Sequence, residues 1–253
     1  RDARLRRITR YRYNNAPLDQ DGFRFYVKDG DTIWNPGWQP TQTALDSYSC
    51  RHGLGYTIIE SGKDGIFAKQ EMFVPQGDNC LLIRLSLKNE SESVKNIDLF
   101  SLVEWCLWDA NDDATNFQRN FSIGEVEVCG NVIYHKTEYR ERRDHYALWW
   151  CNREVKGFDT SREAFCGVYG GAAMPEAIID GGCTNSVAHG WQPIAAQQLH
   201  FELNAGESDS VVFGLGYIEN PDEKWEKANV INKTRAKEMM SRYKTDEQFD
   251  ESF

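Results

Sequence analysis

Long apolar runs are missing from this sequence. No stretch approaches the roughly 18–20 residues that cross a bilayer as a helix, so it offers no membrane span. Basic charge is scarce too. Lys and Arg number 29 against 39 Asp and Glu, a net charge of −10. A general nucleic-acid or anionic-membrane binder needs a basic face, and this balance argues against one. Closely spaced cysteines are also lacking. The seven present are Cys50, Cys80, Cys106, Cys129, Cys151, Cys166 and Cys183, and no CxxC zinc or redox pair occurs. Their odd number, and the strand-like setting of Cys106 and Cys129, predict reduced thiols in a cytoplasmic protein. The glycosylation sequons at Asn89, Asn120 and Asn232 are then chance matches. The five histidines are scattered, with no Ser or Cys nucleophile in an elbow beside them. His135 and His145 read as satisfied structural groups on strands. The glycine-rich stretch 167–171 follows no strand–helix signature and gives no phosphate cradle.

What is present favours a large β fold. At 40% hydrophobic and 13% aromatic, the chain is too apolar for disorder. Its 253 residues suit one large core, as all-β sandwiches often use about 200–250 residues in one domain. Period-two alternation recurs. Leu81, Ile83, Leu85 and Leu87 alternate with polar residues, as do Ile97, Leu99, Val103 and Trp105, which predicts a long antiparallel hairpin. A second hairpin is expected from 54–60 and 66–74 about the turn 61–65. A third spans 126–128 and 132–136 about Gly130-Asn131. Segments 145–151, 197–203 and 208–217 also read as strands, with a turn at 204–206. After Tyr217 the composition changes. Asn220-Pro221-Asp222 reads as a helix start, 222–244 as helical, and 245–247 as the start of a further helical turn. The expected organisation is an antiparallel sandwich over 1–217 and a helical linker over 218–253. The chain opens Arg1-Asp2-Ala3-Arg4 without Met and closes in a charged helical pattern. It reads as a piece of a longer protein, lacking its first strands and followed by a further domain.

Several segments combine residue types that carry chemistry. Arg4, Arg6, Arg10 and Arg12 fall on one face at strand period. They fit an anion-lined or interface face, or equally ion pairs with acids elsewhere. The densest polar–aromatic stretch is 104–121. It follows a buried strand and should form an irregular excursion on the sandwich rim. Aromatic faces cover sugar C–H patches, while carboxylates and amides pair with hydroxyls, so its composition suits a carbohydrate. Three other readings stand beside that one. Asp109, Asn111 and Asp113 match the first positions of a calcium loop, but Ala114 and Asn120 break the pattern. Two of its carboxylates could form an inverting glycosidase pair, which needs a span of about 6.5–9.5 Å. The stretch could also be a structural loop at a subunit interface. Segment 185–191 suits a groove lining, and Trp34-Asn35-Pro36-Gly37-Trp38 is a turn between aromatics, fit for packing or for stacking on a sugar.

At these segments the chain resembles the cellobiose-phosphorylase family of inverting glycoside phosphorylases, glycoside hydrolase family 94. The matching stretches are 2–15 (DARLRRITRYRYNN), 34–38, 50–57 (CRHGLGYT), 104–128 (EWCLWDANDDATNFQRNFSIGEVEV), 132–143 (VIYHKTEYRERR), 157–160 (GFDT), 183–193 (CTNSVAHGWQP) and 215–221 (LGYIENP). They run in order over nearly the whole chain. The resemblance implies an all-β fold, a large antiparallel β-supersandwich of the galactose-mutarotase kind, and the start of a helical linker to an (α/α)6 catalytic barrel. It implies a cytoplasmic homodimer that cleaves cellobiose with inorganic phosphate to glucose and α-glucose 1-phosphate. Relatives act on longer cellodextrins, chitobiose or laminaribiose. No cofactor or metal is implied beyond phosphate as co-substrate. Phosphate is itself the nucleophile, so a single general acid suffices, and it would lie downstream of this chain. No catalytic residue is therefore expected here. The resemblance makes Gln118, Arg119 and Asn120, with Asp112 and Asp113, the expected substrate-binding residues. Two other classes of function remain beside it: a free-standing carbohydrate-binding module and a structural dimerisation domain.

Overall fold

Alternating apolar and polar residues bury one strand face, and a second apolar layer covers the other. The computed structural model describes residues 7–9, 22–108, 124–137, 145–190, 192–220, 225–227 and 230–253. In chain order the strands are β1 (Arg7–Thr9), β2 (Phe23–Asp29), β3 (Thr32–Trp34), β4 (Ser47–His52), β5 (Tyr56–Lys63), β6 (Ile66–Phe73), β7 (Cys80–Asn89) and β8 (Lys95–Trp108). They continue with β9 (Gly124–Cys129), β10 (Val132–Thr137), β11 (His145–Cys151), β12 (Gly157–Ser161), β13 (His189–Gly190), β14 (Pro193–Leu203), β15 (Ser208–Glu219), β16 (Trp225–Lys227) and β17 (Val230–Ile231). The helices are α1 (Arg162–Cys166), α2 (Glu176–Ile179), α3 (Thr234–Ser241) and α4 (Asp246–Ser252).

The strands form two large antiparallel sheets. The smaller runs β12-β14-β8-β2-β3, with β1 paired to β8. The larger runs β13-β9-β10-β11-β15-β7-β6-β5-β4. Between them lies the main core, which includes Val27, Trp34, Leu85, Leu99, Trp149 and Phe213. Trp149 stacks on Phe213 with ring centroids 5.3 Å apart, and its Nε1 donates to Ser101 Oγ at 3.0 Å. The outer face of the larger sheet is covered by α3 and α4, where Met239, Tyr243 and Phe249 pack on Leu82, Leu148 and Trp150. The outer face of the smaller sheet is covered by α1 and α2, through Phe165 and Ile178 on Tyr26, Phe100 and Leu102. The supersandwich expected from the sequence is the fold observed.

Two expectations are corrected. The strands at 81–88 and 97–105 form, as β7 and β8, but they do not pair as a hairpin. β7 lies between β15 and β6, and β8 between β14 and β2. Their apolar faces meet across the core instead. Asn89 anchors the crossing, its Nδ2 donating to the carbonyls of Ser93 at 2.7 Å and Leu203 at 2.9 Å. Period two reports which face is buried and is silent on the hydrogen-bonded neighbour. The second correction concerns 225–227 and 230–233, since 222–224 and 228–229 lie outside the described residues. The ribbon β16–β17 occupies part of this stretch, and helix α3 begins only at Thr234. The β-branched pair Val230-Ile231 disfavours helix. Glu127 then fixes the extended backbone by accepting from Ile231 N at 3.0 Å and from Lys233 Nζ. At Thr245 the expected helical turn does form, with a reciprocal capping box to Gln248.

The Gly130-Asn131 hairpin appears as expected, with Val132 opposite Cys129. In the β5–β6 hairpin the turn narrows to Asp64 and Gly65, both at positive φ, because 61–63 stay in the ladder. Glycine in β15 has a packing cause. A Cβ on Gly214 would stand 2.0 Å from Trp150 Cζ2, and one on Gly216 would stand 2.6 Å from Met239 Cε. These two positions let the indole and helix α3 lie directly on the strand. Gly214→Ala is expected to cost about 1–3 kcal/mol by overpacking, read as a lowered urea midpoint. An unchanged midpoint would contradict the close contact.

Candidate functional site at one end of the sandwich

The registers bring most of the quoted segments to one end. His145 opposes Glu219, Thr137 opposes Gly124 and His189 opposes Glu125. β1 lies against the last residues of β8, with Arg7 opposite Trp108 and Thr9 opposite Trp105. The ends of β8, β10 and β15 and the starts of β9 and β11 thus share this end. Segment 50–57 lies on the far edge pair β4–β5. Asp112, Asp113, Gln118, Arg119 and Asn120 lie outside the described residues, as do Asp109, Asn111, Arg4, Arg6, Arg10 and Arg12.

Inside the mouth, between the sheets, the rings of Trp105 and His135 stack nearly parallel, 5.4 Å apart. Burial pushes the His135 pKa down to about 3, against a raising contribution from a hydrogen bond with the Glu125 backbone. The imidazole is therefore neutral at physiological pH and cannot serve there as a general acid. The sequence reading of a satisfied histidine is corrected at one atom, since His135 Nδ1 has no hydrogen-bond partner among the described residues. Nor has Trp105 Nε1 beside it. His145 is satisfied as expected. Its Nδ1 is hydrogen-bonded to the Tyr217 hydroxyl, which lies 3.4 Å from Glu219 Oε1.

On the outer face of the smaller sheet Glu104 is buried, and its Oε1 accepts from Arg162 Nε at 3.1 Å. Tyr26 donates its hydroxyl to the Ala172 carbonyl at 2.6 Å, and burial raises its pKa far above the usual phenol range.

The stretches 157–160 and 183–193 prove to be one unit. Fully buried Asp159 accepts from Thr184 N and Ser186 N, both at 3.0 Å, and from the hydroxyls of Thr184 and Ser186, both at 2.7 Å. Thr160 Oγ1 donates to the Ser186 carbonyl at 2.9 Å and accepts from Ala188 N at 2.8 Å. This hub leads the chain into β13 and so places His189 on β9. Periodicity gave no sign of it. The available signal was the pair of hydroxyl residues Thr184 and Ser186, spaced to reach one carboxylate.

Within 34–38 the aromatics divide. Trp34 is fully buried in the core, while Trp38 is half-exposed at a φ of 72°. A cleft of about 1140 Å³ lies toward the opposite end, lined by Val128, Gly130, Asn152, Lys156, Phe158 and Val187, among others. Among the described residues Phe158 is the one aromatic in its lining. Cys50, Cys80, Cys129, Cys151 and Cys183 are thiols. Among the described residues no group of three or more His, Cys, Asp or Glu is placed to hold a metal, and no helix is long and apolar enough to cross a membrane.

The chain is similar to several known proteins. It is 32% identical over 192 residues to a solabiose phosphorylase of Paenibacillus borealis, covering 72% of this chain and 24% of that one. It is 30% identical over 218 residues to an N,N'-diacetylchitobiose phosphorylase of Vibrio proteolyticus, covering 83% of this chain and 27% of that one. The chain thus spans about a quarter of these relatives' length. Among solved structures, a bacterial glucoamylase complexed with acarbose matches 83% of this chain and 29% of its own, with a TM-score of 0.53 at 10% identity, a likeness of fold alone. The model of the family described as glycosyl hydrolase 94, supersandwich domain, matches residues 1–246. With nearly the whole chain matched and two antiparallel sheets packed face to face, the chain belongs to the glycosyl hydrolase 94 supersandwich-domain family.

Proposed function

We propose that this chain is the supersandwich domain of an inverting glycoside phosphorylase. In this reading the protein cleaves a β-linked disaccharide with inorganic phosphate to an α-sugar 1-phosphate and a free sugar, and cellobiose is the disaccharide. The family match over 1–246 carries the proposal. The names of relatives supply the competing substrates: solabiose, N,N'-diacetylchitobiose and, for a Paenibacillus borealis relative 26% identical, a 3-O-β-D-glucopyranosyl-β-D-glucuronide.

The chemistry of the described end supports a binding role over proton transfer. His135 is neutral, and Glu104 is engaged by Arg162. Phosphate attacks without a general base, and the one general acid belongs to a helical barrel beyond residue 253. Residues 218–253 begin the connection to that barrel. Gln118, Arg119 and Asn120, with Asp112 and Asp113, bind the sugar, and the protein is a cytoplasmic homodimer. Gln118 exchanges hydrogen bonds with hydroxyls of the acceptor sugar, and Arg119 pairs with a carboxylate or with the anionic end of the site.

The test is kinetic and uses the full-length protein that contains this chain. Each disaccharide is supplied with phosphate, and sugar 1-phosphate is measured. Cellobiose should give the highest kcat/KM of the panel. Arg119→Ala should raise KM for sugar or phosphate by about tenfold, the value of one charge-assisted contact. A higher kcat/KM for another disaccharide would replace cellobiose, and unchanged kinetics would remove Arg119 from the site.

A further inference from the structure

Arg24 lies near the start of β2 and shares the face of Tyr26, the outer face of the smaller sheet beneath α1 and α2. It is 3% exposed. None of its Nε, Nη1 and Nη2 atoms has a hydrogen-bond partner among the described residues. A guanidinium presents five N–H donors in a planar fork and stays charged at any accessible pH. A buried charge of this kind calls for an opposite charge that also takes up its donors.

The neighbouring groups are directed elsewhere. Arg24, Glu104 and Arg162 all act electrostatically on the Tyr26 hydroxyl, so they share one layer. In that layer Glu104 accepts from Arg162 at 3.1 Å, and Tyr26 donates to the Ala172 carbonyl at 2.6 Å. Neither supplies an acceptor to Arg24. Two residues before Arg24, Gly22 has a φ of 97° and no atom within 4 Å of where a Cβ would stand.

We propose that Arg24, set between the outer face of the smaller sheet and the α1–α2 segment, is the binding site for a small oxyanion, a phosphate or a carboxylate. The anion accepts two parallel N–H bonds from the guanidinium fork, and Arg162 in the same layer adds positive potential. The site rests on the chain's own residues and holds whether or not the protein is a phosphorylase.

Phosphate, acetate and chloride titrated into the 253-residue chain at constant ionic strength test it. Melting temperature and the Arg24 Nε–Hε resonance are the two readouts. Phosphate or acetate should raise the melting temperature saturably and shift the resonance, and chloride should do neither. The stronger of the two responses assigns the anion as tetrahedral or carboxylate. Arg24→Lys keeps the charge without the fork and should weaken binding, and Arg24→Met should weaken it at least about tenfold. An equal response in wild type and Arg24→Met would overturn the proposal. Should Arg24→Met not fold, the wild-type resonance decides alone, and no saturable shift with either oxyanion overturns the site.

Discussion

Asp159→Ala is expected to destabilise the protein by about 3–5 kcal/mol, the range for breaking a buried charged network. The carboxylate is fully buried and satisfies two backbone N–H groups and two hydroxyls of Thr184 and Ser186. Alanine removes the acceptor of all four donors, and those that water cannot reach carry a desolvation cost. Asp159→Asn should fall between, because one oxygen, Oδ1, already accepts three of the four bonds. Hydrogen exchange would locate the effect, with the amides of Thr184, Ser186 and Ala188 losing protection first. The consequence reaches function through β13, since this segment sets His189 against Glu125 at the mouth. A loss below about 1 kcal/mol would contradict the hub, being no more than one ordinary hydrogen bond.

The second large effect is acid destabilisation through His135. Its folded pKa, about 3, lies below the 6.5 of an unperturbed histidine. Above pH 6.5 both folded and unfolded chains hold it neutral, and its contribution is fully present. Between pH 6.5 and 3 the unfolded chain binds a proton that the folded one refuses. Stability is therefore lost as pH falls, by about 1.4 kcal/mol per unit well inside that window, or about 2 kcal/mol by pH 5. His135→Phe keeps a ring against Trp105 and removes the titration, so it should flatten this part of the curve. Glu127 is a carboxylate whose burial is outweighed by bonds from Lys233, Ile231 N and Lys136, and its pKa is lowered. It responds at lower pH, and the difference between wild type and His135→Phe from pH 6.5 to 5 isolates this one ring among the five histidines. Urea unfolding at a series of pH values measures the slope. An identical slope in the variant would contradict the neutral buried ring.

Which parts of this were legible in the sequence follows from what each signal encodes. Strands 145–151 and 208–217 and the Gly130-Asn131 hairpin were readable, since alternation and turn chemistry are local properties. The partners of β7 and β8 were not, because alternation is the same whether the next strand pairs beside or faces across the core. The helical reading of 225–227 and 230–233 lost to the tertiary hold of Glu127 on Ile231 and Lys233, while Pro221 and Asp222 lie outside the described residues. Thr245 kept its cap because Gln248 supplies the reciprocal bond from within the same turn. At the candidate site the segments were found by their residue types, and the registers gather most of them at one end. Asp159 went unnoticed because its four donors come from 25 to 27 residues away. Arg24 went unnoticed because a charged residue in a strand reads as solvent-facing until α1 and α2 cover it.

We propose that the β-sandwich serves a phosphorolytic enzyme. The most direct measurement is 31P NMR of the full-length protein incubated with cellobiose and inorganic phosphate. The expected result is a growing signal of α-glucose 1-phosphate matched by an equal amount of free glucose, and none when phosphate is omitted. Release of two glucose molecules at the same rate without phosphate would mean hydrolysis and would contradict it.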